Sequence, residues 1–238
     1  MALVTGSSGG LGLAIAQALA GSGCQVARHG IEANGGDAAG YHRADLRDPA
    51  AIETLMREVG GVDILVNNAV VRHSAPVDEF PVEKWDEAIA VNLSAAFHTI
   101  RLALPGMRAK RWGRIFNMSS VYGSRAALNR VDYVTTKTAL LGLTRAVALE
   151  TAGDGITCNA LCPGTTLTPG NDARIEALMR ERGMARAEAE REFLAGKQPT
   201  GQFIDAKQVA DLVVFLCGAA GSAITGAMLP MEGGWLAG

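Results

Sequence analysis

The chain has 238 residues with 22 Lys and Arg against 24 Asp and Glu, a formal charge of -2, which implies no polyanion-binding surface and excludes nucleic acid as an expected partner. Apolar residues make up 48% of it and glycine is abundant, so a sizeable core can be buried. Cys24, Cys158, Cys162 and Cys217 show no CxxC pairing and no histidine at metal-ligand spacing, so neither a metal site nor a disulfide framework is expected, and a reducing, cytoplasmic setting is.

In chain order, ALVT (2–5) reads as a buried strand, LGLAIAQALAGSG (11–23) as a helix closed by glycines, and QVARH (25–29) as a second strand. A third strand precedes ADL (44–46), and DPAAIETLMREVG (48–60) reads as a helix. VDILVNNA (62–69) follows as a strand, VEKWDEAIAVNLSAAFHTIRLALPGM (82–107) as a long helix, GRIFNMSS (113–120) as a strand and VTTKTALLGLTRAVALET (134–151) as a helix. GITCNALCP (155–163), AKQVADLVVFLCG (206–218) and AMLPME (227–232) complete the pattern as strand, helix and short strand. Strands that are apolar throughout and separated by helices belong to a parallel sheet covered on both faces. The expectation is an α/β fold: one doubly wound Rossmann-type domain over 1–238, with a parallel sheet of about seven strands and helices on both faces.

Residues 164–200 break the alternation with a charged, mostly helical excursion. It leaves the sheet edge outside which ligands bind in open α/β folds, so a helical substrate lid is expected there; a surface helical hairpin with no role is the alternative. No charged leader with an apolar stretch opens the chain, and no apolar run reaches the roughly 18 residues of a membrane span, so no membrane partner is expected.

TGSSGGLG (5–12) joins the first strand to the first helix. Gly6, Gly10 and Gly12 remove side chains where the backbone must turn tightly, approach a pyrophosphate and pack on the sheet, while a helix N-terminus offers unpaired N–H groups to phosphate. Farther on, Tyr133 and Lys137 stand at i and i+4 and so share a helix face. A lysine cation beside a tyrosine favours phenolate, as proton transfer with an alcohol requires. In the same stretch, NRVDYVTTK (129–137), Asp132 reads as a favourable first-turn charge and Asn129 as a turn or capping residue.

The spacing TGxxxGxG, then NNA (67–69), Asn92, SS (119–120), YVTTK (133–137) and CPG (162–164) stand in the order and spacing of the short-chain dehydrogenase/reductase family, which the chain resembles over essentially its whole length. The resemblance implies hydride transfer between nicotinamide and a secondary alcohol or ketone, with a catalytic tetrad of Asn92, Ser120, Tyr133 and Lys137. It implies cofactor contacts from Gly6, Ser8, Gly10, Leu11, Gly12, Ile31, Asp45, Leu46, Asn68, Ala69, Tyr133, Lys137, Pro163, Gly164, Thr166 and Thr168. Gly30 and Ile31 fall where an acid favours NAD and a base NADP, and Gly9 where many NADP-dependent members carry a base, so NAD is expected over NADP. Val70 departs from the glycine usual after NNA. Assembly as a homotetramer is a further implication.

Within the family, NNAVVRHSAPVDEF, NLSAAFHTIRLALPGMRAKRWGRI, ALCPGTTLTP, KQPTGQFI and GGWLAG resemble the D-3-hydroxybutyrate dehydrogenase branch. Its substrate-gripping positions are changed: Arg72 replaces glutamine, Tyr122 histidine, Arg130 lysine, Thr165 tryptophan and Arg174 another glutamine. With Ser120 and Tyr133 these form the expected substrate site. Added arginines suit bidentate recognition of an anion, and threonine in place of tryptophan makes room beside it. A small anionic substrate larger or more charged than 3-hydroxybutyrate is therefore expected, unless the arginines face solvent or pair with acids of the lid. Two other readings stand beside this one: a 3-oxoacyl thioester reductase, which would prefer NADPH and need a basic surface for its carrier, and a non-catalytic cofactor-binding regulator.

Overall fold

A computed structural model describes residues 1–32 and 40–237. The strands are β1 (Ala2–Val4), β2 (Val26–Gly30), β3 (Tyr41–Arg43), β4 (Ile64–Asn67), β5 (Gly113–Met118), β6 (Ile156–Pro163) and β7 (Met228–Met231). All seven pair in parallel in the order β3-β2-β1-β4-β5-β6-β7. Every residue of β1, β4, β5 and β6 is buried, which is why these segments are mostly apolar with no alternation to solvent, their polar members such as Asn67, Arg114 and Asn117 being buried as well.

The helices are α1 (Gly10–Gly21), α2 (Pro49–Val59), α3 (Val82–Ile89), α4 (Ala95–Lys110), α5 (Val131–Thr151), α6 (Pro169–Arg182), α7 (Arg186–Leu194) and α8 (Ala206–Cys217). One core cluster packs Ile52, Leu55, Ile100, Met107 and Val147 of α2, α4 and α5 against the sheet; a second packs Ile15 and Leu19 of α1 with Val209, Val213 and Leu216 of α8. The sheet is thus wound on both faces, and strand order reverses between β1 and β4, where α/β folds open a crevice at the strands' carboxyl ends. The segment after β6 forms α6 and α7, joined through Gly183 at φ +65.

The long helix expected over 82–107 extends to Lys110 and is broken by a π-turn at Ala90–Ser94. By length and composition alone Val82–Lys110 could cross a membrane, a feature hidden from run-length reading by the polar residues that interrupt it. In the fold its Ala95, Ala96, Ile100, Ala103 and Met107 are core residues. Cys158 and Cys162 are buried with free thiols, pushed by burial up to about 12 and about 11.

Candidate active site

β1 delivers Thr5 and Gly6 to the crevice. α1 starts at Gly10 with Gly9 at its N-cap, and among the described residues no side chain caps its first amides. Those N–H groups are therefore available to an anion. A Cβ on Gly12 would lie 2.3 Å from the Gly6 carbonyl oxygen, and one on Gly6, at φ +61, would lie 2.7 Å from Ala69 Cα, so both positions require glycine. Asn68 locks the turn: its Nδ2 donates to Thr5 O at 3.0 Å and Gly6 O at 2.9 Å, while the amides of Asn68 and Ala69 donate to Thr5 Oγ1 at 2.9 and 3.1 Å. Ser8 and Leu11 lie on the same turn, and its outer side, around Gly9 and Gly10, is open space. A pyrophosphate fits this cradle of free amides over closely packed glycines.

At the far end of the cradle, Ile31 is exposed and apolar. The next residue, Glu32, folds back: its carboxylate bonds the Ser8 side chain and accepts from Tyr41 Oη at 3.3 Å. Its own backbone N–H first, then Ser8 and Tyr41, hold that carboxyl below the usual range. The oxygen would be 2.5 Å from a Cβ on Gly30, so glycine at the end of β2 is what lets the carboxylate in. His29 ties the cradle to the loop after β3, with Gly6 N donating to Nδ1 at 3.2 Å and Nε2 3.0 Å from Ala44 O; burial lowers its pKa. In that loop Leu46 is buried, and Asp45 is gripped by Arg47 Nη2 at 2.6 Å, whose hydrogen bonds hold its carboxyl low.

β5 and α5 build the other half. Tyr133, Lys137, Ser120 and Asn92 are all buried. Lys137 Nζ donates to Met118 O at 2.6 Å and lies 5.5 Å from the centre of the Tyr133 ring. Burial first, and the Arg72 charge second, push Lys137 down to about 7. Ser120 Oγ accepts from Tyr122 N at 3.3 Å, which leaves its O–H proton for another acceptor. Neighbouring Ser119 instead donates to Lys137 O at 2.7 Å. Asn92 sits in the π-turn and clamps Val71, accepting from its N–H at 2.8 Å and donating to its carbonyl at 3.0 Å. The backbone is thus pinned on both sides of Val70, by Thr5 before it and Asn92 after it.

A cleft of about 630 Å³ opens over Tyr133. Every residue of the expected substrate site, Arg72, Ser120, Tyr122, Arg130, Tyr133, Thr165 and Arg174, lines it, as do Gly164, Thr166 and Thr168. Lys137 and Asn92 do not line it and stand behind Tyr133, while Pro163 ends β6 beneath it. Arg72 Nη2 is 3.5 Å from Tyr133 Oη, and Arg130 Nη1 donates to His73 O at 3.1 Å. Among the described residues, neither arginine nor Arg174 is within ion-pair distance of a carboxylate, and no Asp or Glu lines the cleft. Thr168 caps α6, and Asn171 Nδ2 donates to Thr166 O at 2.8 Å, fixing the first turn of α6.

The short chain dehydrogenase family model matches residues 1–178. The chain belongs to the short-chain dehydrogenase/reductase family. It is 45% identical to a D-beta-hydroxybutyrate dehydrogenase of Cupriavidus necator, over 99% of this chain and 97% of that one, and 42% identical to one of Rhizobium meliloti, over 99% and 98%. Among solved structures, L-sorbose reductase of Gluconobacter frateurii, complexed with NADPH and L-sorbose, superposes with a TM-score of 0.92 at 28% identity, covering 99% of this chain and 95% of that one. The protein is an oxidoreductase of this family, whose members use NAD(H) or NADP(H).

Several residues of this short-chain dehydrogenase/reductase site carry no motif. Lys197 lines the cleft beside Arg174, its ammonium 4.2 Å from the Phe193 ring. Trp235, in the GGWLAG end, reaches the cleft and packs edge-on to Tyr122 at 5.5 Å. Asp132 is in the first turn of α5 as expected and does more there: it is fully buried, its Oδ2 accepts from His73 N at 3.2 Å, and its Oδ1 has no partner among the described residues. Asn129 is a turn residue in the left-handed region at φ +59, and Arg130, not Asn129, is the N-cap of α5. Glu32 could have been found as the acid next after Ile31.

Proposed function

We propose that the protein interconverts a hydroxy acid and its keto acid with NAD as cofactor, on a substrate related to but not identical with 3-hydroxybutyrate. The observation that carries this reading is that Arg72, 3.5 Å from the Tyr133 hydroxyl, and Arg130 line a cleft that no carboxylate lines among the described residues. Guanidinium groups left without a carboxylate partner among the described residues at that spot suit a substrate carboxylate. The hydroxybutyrate dehydrogenases named above, 45% and 42% identical, support the same class.

When bound, the nicotinamide supplies the two-electron step, taking or giving hydride at the carbinol carbon. The glycine cradle of Gly6, Ser8, Gly10, Leu11 and Gly12 would hold its pyrophosphate, with Ile31, Asp45, Leu46, Asn68 and Ala69 along the adenosine half and Pro163, Gly164, Thr166 and Thr168 at the nicotinamide. The Glu32 carboxylate at the ribose end supports NAD, because a second phosphate there would meet a negative charge. Tyr133 moves the proton of the substrate hydroxyl, and Ser120 donates its free O–H to the same oxygen. Lys137 holds positive charge behind the phenol, and Asn92 keeps Val71, hence Arg72, in place. Tyr122, Arg130, Thr165 and Arg174 shape the anion's pocket, and α6 with α7 serves as its lid.

Exposed Phe97 on α4 and Leu149 on α5 support assembly of several copies, in line with a cytoplasmic homotetramer. The test is NAD and NADP reduction with a panel of hydroxy acids and neutral secondary alcohols. We expect acids with NAD to be preferred, and Arg130→Ala to raise KM about 10- to 100-fold for acids only, the size expected for a lost charge-assisted bond. A preference for neutral alcohols that Arg130→Ala leaves unchanged would sink the reading.

A further inference from the structure

The cleft holds two pairs of cations. Arg72 and Arg130 stand on the wall built from the loop after β4 and the start of α5, both against His73 and Tyr133. Arg174, one turn into α6, and Lys197, just beyond α7, stand on the lid. The lid does not lack acids to neutralise its own arginines. Arg180 pairs with Glu176, Arg182 with Glu192, and Arg186 with both Asp172 and Glu190. Arg174 and Lys197, which face the cleft, are left without a carboxylate among the described residues. Lys197 is tied to the carbonyl of Phe193 at 3.0 Å instead.

Like charges are costly to hold together, since cations that line one cleft repel each other with little screening where water is partly excluded. Burial, with Arg174 as the second cause, lowers the proton affinity of Lys197, which is the mark of a cation that no anion of the protein compensates. A single substrate carboxylate has two oxygens and can take one pair of cations in a bidentate grip, leaving the other pair uncompensated. The first-turn end of α6, with Gly170 and Asn171 on the cleft, adds further positive potential on the lid side.

Resting on the hydroxy acid reading above, we infer that the substrate carries two anionic groups, a hydroxy dicarboxylate or its equivalent with a second acidic group. One group is held by Arg72 and Arg130 and the other by Arg174 and Lys197. A substrate held at both ends then spans from the loop after β4 to the α6–α7 segment.

The experiment compares kcat/KM for NAD reduction with 3-hydroxybutyrate, a ladder of hydroxy dicarboxylates (malate, 3-hydroxyglutarate, 3-hydroxyadipate) and 2-butanol, in the wild type and in Arg174→Gln/Lys197→Met. The best dicarboxylate should exceed 3-hydroxybutyrate by about tenfold or more in the wild type. The double variant should cut that ratio by about 10- to 100-fold, mainly through KM, as loss of charge-assisted bonds to the second group alone requires. If 3-hydroxybutyrate beats every dicarboxylate, or if the double variant lowers mono- and dicarboxylate equally, the two-anion inference is overturned while the hydroxy acid reading stands. If 2-butanol is the best substrate, both fall.

Discussion

The two walls of the cleft are built on opposite principles. On the side proposed for proton transfer, Lys137, Asn92 and Ser120 are 3%, 3% and 6% exposed, and each is held by a hydrogen bond to backbone, of β5, the loop after β4 and the turn after β5 respectively. On the anion side, Arg72 and Arg174 are exposed, and α6 and α7, the proposed lid, carry a set of solvent-facing ion pairs. Preorganised charge is effective where water is excluded and atoms cannot relax, so the chemistry belongs on the rigid wall. Substrate choice belongs on the other, where a side chain can be exchanged without disturbing the core.

The comparison is broken most sharply by removing the reacting atom from the rigid wall. Tyr133→Phe should lower kcat by about 10²- to 10⁴-fold, the range for loss of a positioned acid or base. Binding of NADH, followed by its fluorescence, should be nearly unchanged, because the glycine cradle is bonded through Thr5, Asn68 and His29 and not through Tyr133. Substantial residual turnover would move the proton-transfer role to another group.

A second test uses the cost of burying a cation on that wall. Lys137 is pushed down to about 7 in the folded protein, whereas the unfolded chain keeps a lysine near 10.4. Above the unfolded value this group binds the same number of protons in both states. As pH falls from about 10 to about 7 the unfolded chain takes up a proton that the folded protein does not. Stability is then lost at roughly 1.4 kcal/mol per pH unit, and below about 7 the loss is constant. Lys137→Met removes this dependence and the activity together. Urea midpoints of the cofactor-free proteins should therefore diverge in favour of the variant from pH 10 down to 7 and run parallel below; a constant difference would show that the lysine is not desolvated.

The hinge between the two walls is the loop carrying Arg72, held by Asn92 at Val71 and by Asp132 at His73. Asp132→Ala leaves the His73 amide without its acceptor, a loss of about 1–3 kcal/mol. It should raise KM for the hydroxy acid more than it lowers kcat, since Arg72 loses its placement while Lys137 and Ser120 keep theirs. An equal fall in kcat would mean that the aspartate supports the proton-transfer wall instead.

The rigid wall was legible in the sequence and the anion wall only in part. Strands buried on both faces are mostly apolar, so β1, β4, β5 and β6 announce themselves; Tyr133 and Lys137 stand out by their i, i+4 spacing, whereas Asn92 and Ser120 are expected only from the family resemblance. Arg72, Arg130 and Arg174 are visible as departures from a known branch. Lys197 is not, because only the fold of α6 and α7 turns it toward a cleft whose other residues lie far away in the chain. Trp235 lies in GGWLAG, which carries only a resemblance in the sequence, and the fold packs it on Tyr122. Asp132 reads as a first-turn acid that favours the helix dipole, which it is, but such an acid does so wherever it points, and nothing local says that His73 will cover it.

Glu32 is the residue for which position in the motif was most misleading. The two positions that usually decide the cofactor, Gly30 and Ile31, carry no charge, and the glycine instead clears the path by which the next residue returns. Arg43 Nε donates to Ile31 O at 2.9 Å and Arg28 lies over the Tyr41 ring, so both local arginines are engaged and the exposed negative charge is the carboxylate. Glu32→Gln keeps the shape and the Tyr41 contact but removes that charge. The ratio of kcat/KM for NAD over NADP should fall by about tenfold, through KM for NADP, as expected for one carboxylate removed from the neighbourhood of a phosphate. The effect should shrink at high salt, because the group is exposed to solvent and screened. An unchanged ratio would remove Glu32 from cofactor choice and leave the decision to Arg28 and Arg43.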